Sequence, residues 1–216
     1  MAIEKYLERV LDAYPICDPI YLSDILKAVK NQFHITVNGK DAITALDKMV
    51  ESKDNLRKYN TGIYYKTKLS PLGSYYLIND IKLIHDKYIV KRNGYETGYR
   101  MLTKLGLTTQ IPNITAIKYN GTKKRYFQDL RIICIPSKIH ITNENKKYLK
   151  FLDVVELLDM APINNDNYIN ILMNYMFKRN ININQLFDYA KKYYPRHTQK
   201  NLQKLIDDGG VINEAP

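Results

Sequence analysis

Asn38, Lys40, Thr44 and Lys48 bring an amide, a hydroxyl and ammonium groups together along one short stretch of chain. That set suits the edges of base pairs, because Lys donates to guanine O6 and N7 while Asn and Thr meet bases or phosphates. Asp41 is the odd member. Its carboxylate either favours a helix N-terminus by its charge or accepts from a cytosine amine. Downstream, Arg57, Lys58 and Lys66 offer cations to phosphates or to the minor groove. A further basic run, Gly121-Thr122-Lys123-Lys124-Arg125, reads either as a solvated hairpin tip or as an auxiliary phosphate contact, including a surface for an RNA. Catalytic patterns are missing: His34, His85, His140 and His197 are scattered, there is no HExxH, GxSxG or GxxxxGK[ST], and Asp129 has no ExK partner. Cys17 and Cys134 stand far apart with no Cys or His at ligand spacing, so no metal site is expected and both read as core thiols. We expect no catalytic residue and no cofactor.

The elements that must position the first set follow from apolar spacing. Ile3, Tyr6, Leu7, Val10 and Leu11 make one stripe of a first helix that Pro15 ends. Ser23 with Asp24 marks the start of a second, buried through Leu22, Ile25, Leu26 and Val29. Phe33, Ile35 and Val37 alternate as an extended connection, and Asn38 then caps a third helix with Ile43, Leu46, Met49 and Val50 inward. Leu56-Arg57-Lys58-Tyr59 and Ile63-Tyr64-Tyr65-Lys66, joined by Asn60-Thr61-Gly62, read as a hairpin. Three short helices followed by a hairpin is the order of a winged helix-turn-helix, whose third helix lies in the major groove. Alternating Lys and Asp also occurs on any solvated helix face; the hairpin at winged-helix spacing is what favours DNA.

Pro71-Leu72-Gly73 interrupts the chain and predicts a border between a domain over 1–70 and a second over 75–216. In the second, residues 80–88 read as a helix and Asn93-Gly94 as a turn. Tyr95, Gly98, Tyr99, Leu102 and Leu105 fall on one helical face, with Gly106 at its C′ position and Leu107 placed for the Schellman contact. Residues 114–119 and 130–135 look like paired strands joined by the basic loop, and helices follow over roughly 144–159, 167–178, 185–193 and 197–208. Tyr95-Glu96-Thr97-Gly98 and Leu107-Thr108-Thr109-Gln110 read as packing and capping, and the Tyr-rich last helices as core rather than a base-stacking platform. The fold class expected is α+β: a winged helix-turn-helix followed by a mixed α/β domain ending in helices.

With 45% hydrophobic and 25% charged residues, the 216-residue chain can bury two cores. The first residues, MAIEKYLERV, lack the apolar region of a signal peptide, and no stretch reads as a bilayer span, so a cytoplasmic protein without membrane partners is expected. The net charge of +11 makes polyanions the first partners to consider. Eleven Lys and Arg against four Asp and Glu fall between 71 and 131, whereas 1–70 and 132–216 each carry eleven against nine. Basic charge therefore does not locate a DNA site in the first domain.

Asn93-Gly94-Tyr95-Glu96-Thr97-Gly98, Leu102, and Leu105-Gly106-Leu107-Thr108-Thr109-Gln110-Ile111-Pro112 resemble the AbiEi-like antitoxins and the related proteins encoded beside nucleotidyltransferase toxins. Gly62-Ile63-Tyr64-Tyr65, Leu149 and Leu152-Asp153 extend the likeness, which is strongest over 56–155 and weak beyond about 160. The resemblance implies an autorepressor of its own operon, bound to double-stranded operator DNA, whose C-terminal domain counters a nucleotidyltransferase-like toxin, often without a stable complex. Gly73-Ser74 with Asp80 is similar to the Gly-Ser plus acid pattern of nucleotidyltransferases, but Ile81 and Lys82 follow where a second carboxylate is needed for two-metal chemistry. The alternative is a nucleic-acid-binding regulator without toxin-neutralising activity, directed to RNA through its basic middle segment. Whether the neighbouring gene encodes a nucleotidyltransferase-like protein separates the two.

Overall fold

The computed structural model describes residues 3–213, so the outermost ends of the two expected domains, 1–2 and 214–216, lie outside the described residues. It is mixed α+β, and it divides into two compact units, residues 1–84 and 85–216. Among the described residues no helix is long and apolar enough to cross a membrane.

In the first unit α1 (Glu4–Asp12) buries Leu7, Val10 and Leu11, as its stripe predicts. A two-residue strand absent from the sequence reading, β1 (Ile20–Tyr21), leads directly into α2 (Leu22–Phe33). Ser23 and Asp24 do not cap this helix. Tyr21 occupies the cap position in extended conformation, and the Leu22 amide donates to the Gly62 carbonyl at 2.9 Å, so the neighbouring turn satisfies the free N–H instead. His34, left-handed at φ 56°, ends α2, so that of the expected extended residues Phe33 is the last of the helix and Ile35 and Val37 lie in a plain connection; Phe33 and Val37 lean on the core. Asn38 does cap α3 (Gly39–Ser52): its side chain accepts from the Lys40 amide at 2.9 Å. The buried stripe of α3 is Ala42, Ala45, Leu46 and Met49, with Ile43 and Val50 only half-buried. Two alanines on that face need little room, which suits close approach to α1 and α2.

The hairpin is present as β2 (Leu56–Asn60) and β3 (Ile63–Lys66), with an irregularity between Lys58 and Asn60. β1 pairs antiparallel with the other side of β3, Ile20 opposite Tyr64, giving the order β1-β3-β2. Pro71-Leu72-Gly73 is not a border between units. It is the tip of a reversal whose arms meet at Leu69 and Tyr75, tied by the Tyr76 amide to the Lys68 carbonyl and by Asn79 to the Cys17 carbonyl. Lys82 then pairs with Asp18, so the segment up to the start of α4 (Asp80–His85) belongs with the first unit. Cys17 is half-exposed at φ 66° rather than a core thiol, because its amide and carbonyl hold the chain to Lys66 and Asn79.

The second unit opens on a single wide turn, Asp86–Val90, closed by the Lys91 amide on the Asp86 carbonyl five residues back. Tyr95–Thr97 is a strand, β4, and only Tyr99–Lys104 is helical, as α5. The stripe from Tyr95 to Leu105 therefore overstated the helix: Gly98 at φ 76° breaks it, and Tyr95 is buried as a strand residue against Ile141 and Leu149. Its C-terminus matches expectation, with Leu107 donating to the Leu102 carbonyl and Gly106 to that of Thr103, each at 3.0 Å.

β5 (Thr115–Tyr119) and β7 (Ile132–Pro136) do pair, but in parallel, Ile117 opposite Cys134. The basic loop cannot be their hairpin. It leads instead into a three-residue edge strand, β6 (Arg125–Phe127), which turns back antiparallel to β7 and completes the order β4-β5-β7-β6. Cys134 is fully buried, and desolvation pushes its thiol up to about 11, which leaves it an inert core group at neutral pH. Four helices follow: α6 (Lys146–Leu157), α7 (Tyr168–Lys178), α8 (Ile183–Tyr193) and α9 (Arg196–Asn213). Their core joins Phe151, Leu152, Val155, Leu172, Leu186 and Leu202 to Leu102 of α5 and to Leu107 just beyond it. Each such buried side chain contributes about 1.5–3 kcal/mol.

Gly94 is hemmed in by main chain on two sides. A Cβ there would stand 2.4 Å from the Tyr88 carbonyl oxygen and 2.5 Å from that of Lys118. Both obstacles are main chain and cannot rotate away. Gly94→Ala is expected to destabilise the unit by about 1–3 kcal/mol, the range for overpacking. Urea unfolding reads the shift, and an unchanged midpoint would mean that the Asp86–Val90 turn gives way at no cost.

Candidate nucleic-acid interface

At 100° per residue, Lys40, Thr44 and Lys48 line one side of α3, opposite Ala42, Ala45 and Leu46, with Asp41 at its flank. All four polar residues are exposed. Thr44 donates its hydroxyl to the Lys40 carbonyl at 3.1 Å, leaving its lone pairs free. Asn38 spends its carbonyl oxygen on the cap, so its NH₂ remains to donate outward. Further along the same face stands the exposed Glu51, which limits any polyanion to the first two or three turns of α3. Asp41 lies in the first turn, where a carboxylate favours the helix dipole.

The cations of the hairpin behave differently. Lys58 pairs with Asp47 of α3, Nζ to Oδ2 at 2.6 Å, while the other oxygen of Asp47 accepts from the buried Tyr64 hydroxyl at 3.0 Å. The Lys58 hydrogen bond, with help from Tyr64, holds the Asp47 carboxyl below its ordinary value. Arg57 donates to the Leu56 carbonyl at 2.9 Å, and its guanidinium lies 4.3 Å from the centre of the Tyr75 ring. Lys66 donates to the Asp12 carbonyl at 2.9 Å, at the C-terminal end of α1. The three side chains that the sequence offers to phosphate thus each have an intramolecular partner, and their first effect is to fix the hairpin against α1 and α3. What the turn exposes is uncharged: Tyr59, Asn60 and Thr61.

Lys123, Lys124 and Arg125 are exposed in the second unit, on the approach to β6 and on β6 itself. Among its described residues the same unit contains one buried carboxylate that sequence reading placed only as part of a helix. Asp153 of α6 is 4% exposed and accepts from Tyr95, Thr97, Lys118 and Tyr194 at 2.6–3.1 Å. Its oxygens are saturated by donors, which suits a structural anchor and leaves no lone pair aimed at solvent. Among the described residues no three His, Cys, Asp or Glu side chains converge to hold a metal ion. No protein-family model matches the chain, and no curated protein matches it.

Proposed function

We propose that the chain is a DNA-binding autorepressor of the antitoxin kind. On this reading residues of the first unit form a winged helix-turn-helix, α3 enters the major groove of operator DNA, and the second unit counters a nucleotidyltransferase-like toxin in the cytoplasm. The observation that carries the DNA half is α3 itself: a helix capped by Asn38, with Lys40, Thr44 and Lys48 exposed along one side and a braced β2-β3 hairpin beside it. The toxin half rests on the resemblance of residues 93–112 to AbiEi-like antitoxins. Repression follows from occupancy: a protein seated on the promoter excludes polymerase.

The test places a reporter behind the DNA upstream of the chain's own gene and co-expresses the full chain with the product of the neighbouring gene. Repression together with restored growth is the expected result. Repression without any rescue reduces the protein to a plain regulator. Absence of both repression and a footprint on that DNA removes the DNA reading.

A further inference from the structure

The second unit carries a cleft of about 470 Å³ between the Asp86–Val90 turn, β5 and β6. Lys87, Arg92, Lys123 and Arg125 line it, and no carboxylate does. None of the four has an ion-pair partner among the described residues, whereas Lys58 of the first unit's hairpin is paired with Asp47. Like charges so gathered repel one another and are stabilised by an anion that takes the place of their counterions.

Beneath the cations lies a packed aromatic cluster in which Tyr88 and Tyr119 are buried, so that the half-buried Phe127 and the exposed Arg92 guanidinium are left to meet a ligand. Tyr88 packs edge-on against Tyr119, centroids 4.7 Å apart at 81°, and the Phe127 ring lies 6.0 Å from that of Tyr88. Several interactions fix the wall before any ligand arrives. The Tyr119 hydroxyl donates to the Lys123 carbonyl, the Asn120 amide to the Arg92 carbonyl, and Gly121 sits so close to the Tyr119 ring that a Cβ would stand 2.2 Å from it. The Arg92 guanidinium lies 5.5 Å from the Tyr119 ring centre, which holds it over this cluster. A cationic rim with the planar Arg92 guanidinium and Phe127 beside it, in a volume within the range of about 300–1,000 Å³ typical of ligand sites, suits a molecule with an anionic part and a flat part that can stack.

We infer that this cleft binds the phosphate and base of a nucleotide, either free or as one unit of a single strand. Lys87, Lys123 and Arg125 meet the phosphate, and Arg92 lies between phosphate and base. The site is independent of α3 and of the DNA reading of the first unit.

The full-length chain is titrated by fluorescence anisotropy with a labelled ten-nucleotide oligouridylate, and by calorimetry with UMP and with inorganic phosphate. Binding of the oligonucleotide alone assigns the site to a strand; binding of UMP as well assigns it to the free nucleotide. Either supports the inference when Lys123→Glu with Arg125→Gln weakens it at least tenfold and Lys40→Ala with Thr44→Ala does not. Removing one phosphate-binding cation flattens the plot of log K against log salt by roughly 0.7 for a single strand. Lys123 and Arg125 are exposed, so both variants should fold, and circular dichroism verifies it; Lys87→Gln serves as a second variant. The inference is overturned if neither nucleotide probe binds at low salt, if the cleft variants bind as wild type does, or if inorganic phosphate binds as tightly as UMP.

Discussion

Replacing Asp153 with alanine is expected to destabilise the second unit by about 3–5 kcal/mol, the loss seen when one partner of a buried pair is removed. Such a loss approaches the whole margin of many domains. One oxygen of Asp153 accepts from Thr97 at 2.6 Å and Tyr95 at 3.1 Å, the other from Lys118 and Tyr194, both at 2.7 Å. β4, β5, α6 and the segment just after α8 thus meet on a single carboxylate, so sheet and helices are joined through it. Burial first, and the Asp153 charge second, hold the Tyr95 and Tyr194 hydroxyls well above their ordinary range, so both stay donors at any usable pH. Without the acceptor those phenols are orphaned in the interior. Lys118 suffers less, because its side chain keeps 27% of its surface in water. Asp153→Asn offers one acceptor and two donors to four donors, and should fall between wild type and alanine. Urea titrations of the three proteins, followed by near-ultraviolet circular dichroism, give the ranking. A loss below about 1 kcal/mol for the alanine variant, an ordinary surface value, would show that the network has no structural role.

Asp153 also marks where sequence and fold part company. Its helix was legible from apolar spacing, but its four partners lie 35 to 58 residues away, or 41 on the other side, and no local pattern announces them. The Asn38 cap was legible for the opposite reason: donor and acceptor are two residues apart. The same division runs through the candidate interface. The exposed face of α3 follows from helical periodicity alone, whereas the commitment of Lys58 to Asp47 and of Lys66 to the C-terminal end of α1 requires the tertiary fold. β1 and β6 are too short for an alternation to register. The β5-β7 pair was visible as two apolar runs, yet direction is set by the path between them, and a three-residue edge strand made it parallel. Tyr95 misled because its spacing to Gly98, Tyr99 and Leu102 imitates a helical stripe, while the break at Gly98 is a matter of backbone angle. The basic cleft was legible only as an excess of charge between 71 and 131; its grouping of Lys87 and Arg92 with Lys123 and Arg125 comes from the sheet.

Lys40→Ala and Thr44→Ala are each expected to weaken operator binding by about 1–3 kcal/mol, or roughly 5- to 150-fold, if these side chains meet base edges. Both residues are exposed, so the loss should appear in binding and hardly in folding. A base contact carries specificity, so the gap between operator and scrambled duplex should narrow. Arg57→Ala and Lys58→Ala should weaken both duplexes more evenly, by two routes. Either the cation leaves its internal partner to meet a phosphate, in which case its removal flattens the slope of log K against log salt by roughly 0.9 per phosphate. Or it acts only by bracing the hairpin, through Tyr75 and Asp47, in which case affinity falls while the slope stays as it was. Lys58→Gln with Asp47→Asn distinguishes these, since the double variant can retain a hydrogen bond between the two side chains without the charge. Operator and scrambled-duplex titrations at several salt concentrations supply every arm, with circular dichroism confirming fold. Folded Lys40 and Thr44 variants that bind the operator as wild type does, alongside large losses from Lys123 or Arg125 changes, would move duplex recognition to the second unit and end the case for α3.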